Sequence, residues 1–237
     1  TGTNEYTYDP NGNLLTDLNC GITSNISYNY LNLPEQIVKP GTTLKYTYDA
    51  TGLKLKRKLI GTIDSTEYVN GIQYAGGLID FIQTEEGRAI KNGTSYLYRY
   101  NLNDHLGNLR VEVDASGNAL QEESYYPFGL SQALPSNSDP SGKNKYQYNG
   151  KEFQVETNWY DYGARFYDPT LGKWHSIDPL TEITKNSSSY VYANNNPVRF
   201  IDPNGMYTTP SGESNEEWLA RMKAEDKAIQ TQMDQQF

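Results

Sequence analysis

A phrase of aromatic, any residue, Tyr, Asp, two residues and Gly occurs twice in this chain, as Tyr6-Thr-Tyr8-Asp9-Pro-Asn-Gly12 and as Tyr46-Thr-Tyr48-Asp49-Ala-Thr-Gly52. Alternate Tyr residues put their rings on one face of an extended strand, and Asp followed by Gly carries the chemistry of a tight turn. Between the two lies a degenerate copy, Tyr28-Asn-Tyr30-Leu-Asn-Leu-Pro34, so that successive Tyr pairs start 22 and 18 residues apart. A period near 20 is the length of one β-hairpin, and a repeat of that length constrains the fold more than any single residue does. Composition agrees. Of 237 residues, 21 are Tyr, 23 Asn, 20 Gly and 11 Pro, which suits half-buried pleated surfaces joined by turns and argues against helix bundles and doubly wound α/β folds.

The expected fold is therefore all-β: consecutive antiparallel hairpins forming a curved ribbon, followed by a loop-rich cap and one C-terminal helix. Leu53-Lys-Leu55-Lys-Arg-Lys-Leu59 reads as a return strand with one wet, basic face. Turns at Gly71, Gly76-Gly77 and Asn92-Gly93 continue the hairpins, and Asp104-His-Leu-Gly107 and Asp114-Ala-Ser-Gly117 close two more. The Ser-, Pro- and Asn-rich stretch 130–145 is the best internal boundary. The division is thus 1–129 ribbon, 130–145 loop, 146–206 core, and 207–237 linker and helix. Ser214 and Glu217 have capping-box spacing, and Trp218, Leu219, Met222, Ile229 and Met233 recur at near-helical intervals, which predicts a helix over 215–234.

Net charge is −9, so no phosphate-binding basic field covers the chain and nucleic acid is not an expected partner. No apolar run approaches the roughly 18 residues of a spanning helix, and membrane insertion by this segment is not expected. Cys20 is the only cysteine, and His105 and His175 are the only histidines. They form no set with metal-ligand spacing, and neither a metal nor a cofactor is expected. Thr1 is not an initiator Met and enters a motif almost at once, which points to a longer parent chain.

A series of phrases follows the repeats in order: Asn103-Asp-His-Leu-Gly-Asn-Leu-Arg110, Tyr126-Pro-Phe-Gly129, Tyr148-Asn-Gly-Lys-Glu152, Trp159-Tyr-Asp-Tyr-Gly-Ala-Arg-Phe-Tyr-Asp-Pro169, Gly172-Lys-Trp174, Ile177-Asp-Pro-Leu180, Tyr190-Val-Tyr-Ala-Asn-Asn-Asn-Pro197 and Phe200-Ile-Asp-Pro-Asn-Gly-Met206. Together these resemble the Rhs or YD-repeat proteins and their Rhs repeat-associated core. The resemblance implies a hairpin shell that encloses a C-terminal cargo, often a toxin, with an immunity protein as a partner of that cargo and a secreted or cell-surface bacterial location. It also implies an aspartyl autoprotease in the core. Carried onto this sequence, Asp178 and Asp202 are the candidate carboxylates and the bond between Met206 and Tyr207 is the candidate cleavage site. Met206 stands where Leu is usual, and Ile177 where some cleaving members carry Arg.

The chemistry has its own rationale. Two carboxylates sharing one site cannot both ionise cheaply, so the pair can act as base and acid toward a water that attacks a peptide carbonyl. The competing reading is that each Asp-Pro is only a turn, since Asp9-Pro10, Asp139-Pro140 and Asp168-Pro169 show the same pair elsewhere. Arg165, among aromatic residues, is expected to pair with a carboxylate or stack on a ring in a buried structural role. A rival function is a non-enzymatic surface or adhesion module whose hairpins display binding loops. A carbohydrate-active enzyme rests only on abundant aromatics and carboxylates, and the hairpin period explains the Tyr residues better as cross-strand packing.

Overall fold

The computed structural model describes residues 4–132, 142–182, 188–213 and five positions within 217–224. The first hairpin pairs β1 (Tyr6–Tyr8) with β2 (Leu14–Asp17). A single antiparallel sheet of eleven strands follows, each bonded to its neighbours in sequence. Its strands are β3 (Ser27–Tyr28), β4 (Pro34–Lys39), β5 (Thr42–Tyr48), β6 (Lys54–Leu59), β7 (Ser65–Val69), β8 (Ile72–Ala75), β9 (Leu78–Thr84), β10 (Gly87–Asn92), β11 (Ser95–Asn103), β12 (Leu109–Asp114) and β13 (Ala119–Glu122). A short pair, β14 (Ser124–Tyr125) and β15 (Ser131–Gln132), precedes a four-stranded meander of β16 (Glu152–Gln154), β17 (Trp159–Asp161), β18 (Phe166–Asp168) and β19 (Lys173–Trp174). A last pair joins β20 (Phe200–Ile201) to β21 (Thr209–Pro210). The chain is all-β with consecutive hairpins, as its repeats predict.

One turn is used five times. At Asp9, Asn29, Asp49, Asp104 and Asp114 the side-chain oxygen accepts the backbone amide four residues on, and the pairing register shifts just before each. The third residue after it adopts a left-handed conformation, with φ +78° at Gly12 and +59° at Asn32. The side-chain oxygen stands in for a backbone acceptor, and the register shift is a bulge that opens room for it. This geometry corrects the reading of the degenerate copy. Tyr28, and not Tyr30, takes the place of Tyr8 and Tyr48, with Asn29 for Asp and Asn32 for Gly, so the repeat is an even 20 residues. The hydroxyls of Tyr28 and Tyr48 donate to carbonyls 14 residues upstream, Leu14 and Pro34, at 2.6 and 3.0 Å.

The expected wet face of β6 is also corrected. Leu53 is 60% exposed, while Arg57 is 3% exposed. The sheet's inner face carries charge because the C-terminal region packs on it with acidic groups. Lys54 Nζ lies 2.6 Å from Glu152 and 2.5 Å from Asp161, Arg57 pairs with Glu156, and the Tyr68 hydroxyl donates to Glu152 at 2.9 Å. Apolar packing joins the same surfaces, since Leu14, Ile37, Leu44 and Tyr46 share a cluster with Trp159 and Phe166. A second cluster is almost wholly aromatic: Tyr148, Tyr160, Tyr162, Tyr167, Trp174 and Tyr192. Asn149 sits against it and accepts the hydroxyl protons of Tyr162 and Tyr192 at 2.8 and 2.5 Å, so these buried phenols are satisfied. Within the expected helix 215–234, the described positions of 217–224 are helical and the rest lies outside the described residues. Most of the 130–145 loop, residues 133–141, lies outside them too.

Candidate functional site

Three separate turns bring three charged side chains together. Arg165 follows the tight Asp161-Tyr-Gly-Ala turn between β17 and β18, Asp178 follows β19, and Asp202 follows β20. Arg165 Nη2 donates to Asp178 Oδ2 and to Asp202 Oδ2, each at 3.2 Å. The two carboxyl oxygens therefore lie within about 6.5 Å of each other, bridged by one nitrogen. Arg165 is 2% exposed and its guanidinium stacks over the Trp174 ring, 4.2 Å from the centroid. It both pairs and stacks.

The other oxygens hold the backbone. Asp202 Oδ1 accepts the amides of Asn204, Gly205 and Met206 at 3.2, 2.7 and 3.2 Å. Asp202-Pro-Asn-Gly205 repeats the tetrapeptide Asp9-Pro-Asn-Gly12, and the amide four residues on is again the one accepted. Asp178 Oδ1 likewise accepts the Leu180 amide at 2.8 Å. Each aspartate thus caps a turn with one oxygen and faces the guanidinium with the other. The turn reading and the paired-carboxylate reading describe different atoms of the same side chains.

Burial separates the two acids. Asp202 is 1% exposed, and burial pushes its carboxyl up to about 6, against the pull of Arg165 and the backbone amides, with Asp178 adding to the rise. Burial also lowers the Arg165 guanidinium, an effect the two carboxylates oppose. A protonatable buried acid beside a second carboxylate is the arrangement that acid and base work needs.

The candidate scissile bond adjoins this group. Arg165 Nε donates to the Gly205 carbonyl at 2.5 Å, and the Met206 amide donates to both Asp202 Oδ1 and Asn204 Oδ1. The backbone on the N-terminal side of the Met206–Tyr207 bond is therefore held from two directions, and Tyr207 itself is buried. Position 177, where some cleaving members carry Arg, is Ile here, and the cation comes from Arg165, whose expected carboxylate pairing falls on these two aspartates. Asn204 and Ser189, whose carbonyl accepts from Arg165 Nη1 at 3.2 Å, carried no signal beyond their places in the motif phrases. Among the described residues no group of three or more His, Cys, Asp or Glu side chains is arranged to hold a metal ion.

No family model matches the chain. It is 30% identical over 168 residues to salivary gland surface protein 1 of Aedes aegypti, covering 71% of this chain and 4% of that protein. It is 35% identical over 109 residues to toxin subunit YenC1 of Yersinia entomophaga (46% of this chain, 11% of that one) and 29% identical over 210 residues to the tRNA3(Ser)-specific nuclease WapA of Bacillus spizizenii (85% and 8%). A crystal structure of TcdB2-TccC3 without its hypervariable C-terminal region superposes with a TM-score of 0.62 at 23% identity, over 77% of this chain and 10% of that one. The chain spans about a tenth or less of the length of these proteins.

Proposed function

Because this chain belongs to the Rhs/YD-repeat family, we propose that it is the hairpin and core portion of a toxin-associated shell that encloses a C-terminal cargo and cuts its own backbone after Met206. The observation that carries the reading is the meeting of Asp178 and Asp202 on one guanidinium, beside a backbone already anchored at Gly205 and Met206. In the reaction, the ionised carboxylate takes a proton from water as its oxygen adds to the Met206 carbonyl carbon. The protonated partner gives its proton to the Tyr207 nitrogen as the C–N bond breaks, leaving a carboxylate on Met206 and an amine on Tyr207. Upstream shell repeats and the cargo are the proposed partners, with an immunity protein as a partner of the cargo, and the proposed location is extracellular or on the cell surface. None of the described helical residues forms a helix long and apolar enough to cross a membrane.

The test is the intact mass of the purified chain after incubation between pH 5 and 7. Wild type should resolve into two chains divided after Met206, and Asp178→Asn and Asp202→Asn should each remain whole, since Asn keeps the shape but cannot exchange a proton. A wild-type chain that stays in one piece at 26.8 kDa contradicts the cleavage reading and leaves the shell reading standing on its repeats. One observation favours a second reading: a relative matching 71% of the chain is named a surface protein, which suits a non-enzymatic binding module. That reading expects every variant to stay intact.

A further inference from the structure

The segment that carries Asp178 is gripped by the first hairpin of the chain. Tyr190 donates its hydroxyl proton to the Gly12 carbonyl at 2.8 Å and packs edge-on against Tyr8, ring centroids 5.7 Å apart. The Leu14 amide donates to the His175 carbonyl at 2.9 Å. Gly12 has φ +78°, and a Cβ built on it would fall 2.5 Å from Tyr190 Oη and 2.7 Å from Ile177 Cγ2. No side chain fits there without displacing one of them. The first hairpin therefore holds His175, Ile177 and Tyr190, which lie on either side of Asp178 in sequence.

Ser189 passes this grip to the charged group. Its carbonyl accepts the Asp178 amide at 3.1 Å and Arg165 Nη1 at 3.2 Å, and its hydroxyl accepts from Thr181 at 3.1 Å. The seat of Tyr190 on Gly12 thus fixes the neighbouring oxygen that orients both Asp178 and the guanidinium. The matching turn at Asp49 has no such role: a Cβ on Gly52 would meet only the Leu31 and Leu33 methyl groups, at 3.2 Å.

We propose that docking of the β1–β2 turn on Ile177 and Tyr190 positions Asp178 for self-cleavage, so that the cut after Met206 waits until this hairpin has wound onto the core. Gly12 and Tyr190 are positioning residues in this scheme, which rests on the cleavage reading above. A shell whose hairpin is unseated keeps its C-terminal segment covalently attached. Reaction rates are steep in such placements, because a shift of about 1 Å in a reacting group can cost on the order of a hundredfold.

The experiment compares the whole chain as wild type, Gly12→Ala, Tyr190→Phe and Gly52→Ala. Gly52 has φ +91°, so its variant imposes comparable backbone strain away from the site. Two quantities are read: the rate of division after Met206 by intact mass, and hydrogen exchange of the amides in 176–181 and 188–190. Gly12→Ala should slow division by roughly tenfold or more and raise exchange in those segments. Tyr190→Phe, the milder change, should do the same to a smaller degree and keeps the test open if Gly12→Ala does not fold. Gly52→Ala should lower the melting temperature and leave both readouts at wild-type values in the folded protein. Equal slowing by Gly12→Ala and Gly52→Ala, or unchanged exchange at 176–181 in the foldable position-12 or position-190 variant, overturns the proposal. If wild type never divides, the cleavage reading fails and the gating of the cut fails with it, while the exchange measurement separately decides whether the hairpin holds the Asp178 segment in place.

Discussion

Asp202 shows how one residue can be forced into two duties by its surroundings. Its ordinary carboxyl value of 3.8 rises to about 6 in the folded chain, with burial the largest cause. Between those values the folded state binds more proton than the unfolded chain, so the contribution of Asp202 is fully present below pH 4 and is lost as pH rises through 6. Asp202→Asn removes the titration. The difference in stability between wild type and Asp202→Asn should therefore move in favour of the variant as pH goes from 4 to 7, by on the order of 2–3 kcal/mol. Urea denaturation at a series of pH values measures it, and a difference that does not change with pH would show that Asp202 stays ionised throughout. Arg165 explains why both carboxylates tolerate burial, since a planar guanidinium can serve two acceptors while its face lies on Trp174.

At the scale of elements, the recurring unit is the capped turn. Asp104 accepts the Leu106 and Asn108 amides, the Asn108 side chain and the Arg110 Nε, whereas Asp114, itself half-buried, accepts two amides and one side chain from the exposed residues of its turn. Asp104→Ala should cost roughly 1–3 kcal/mol, because buried Asn108 loses its charged partner, and should cost more than Asp114→Ala in the same melting assay. Equal costs would mean that the turns stand independently of what packs on them. The turn was readable from sequence wherever Asp and Gly were both present. The copy at Asn29 was misaligned by two residues because Tyr30 imitates the pattern, and only the hydrogen bonds of Asn29 show that the left-handed position falls to Asn32.

Across the whole molecule, ribbon and core are joined by buried charge as well as by rings. Lys54 is enclosed with Glu152 and Asp161, and its amine is held well above the ordinary lysine value by those two carboxylates, against the cost of burial. Lys54→Met leaves two buried carboxylates without their cation and should lose about 3–5 kcal/mol of stability, with little recovery in high salt because a buried pair is poorly screened. A loss below 1 kcal/mol, the range of exposed pairs, would show that the ribbon and core do not depend on this contact. The exposure of Leu53, just before β6, and of Leu55 within it follows from the same arrangement, since Lys54 and Arg57 turn inward to meet the core while Lys58 stays exposed.

Fold class, hairpin period and the ordered phrases of the core are legible in the residues alone, because a turn is chemistry within five residues and a strand pair needs only its neighbour. Asp178 and Asp202 stood out only through the family resemblance, since other Asp-Pro pairs in the chain look the same locally. Which residues from distant turns come to share an atom is set by packing between elements far apart in the chain. The convergence of Arg165, Asp178 and Asp202, the grip of Gly12 on Ile177 and Tyr190, and the inward charge of Lys54 and Arg57 join positions separated by 13 to 178 residues. Local propensity has no information about such pairs. They are selected when two surfaces exclude water together and every buried charge must find its partner on the other side.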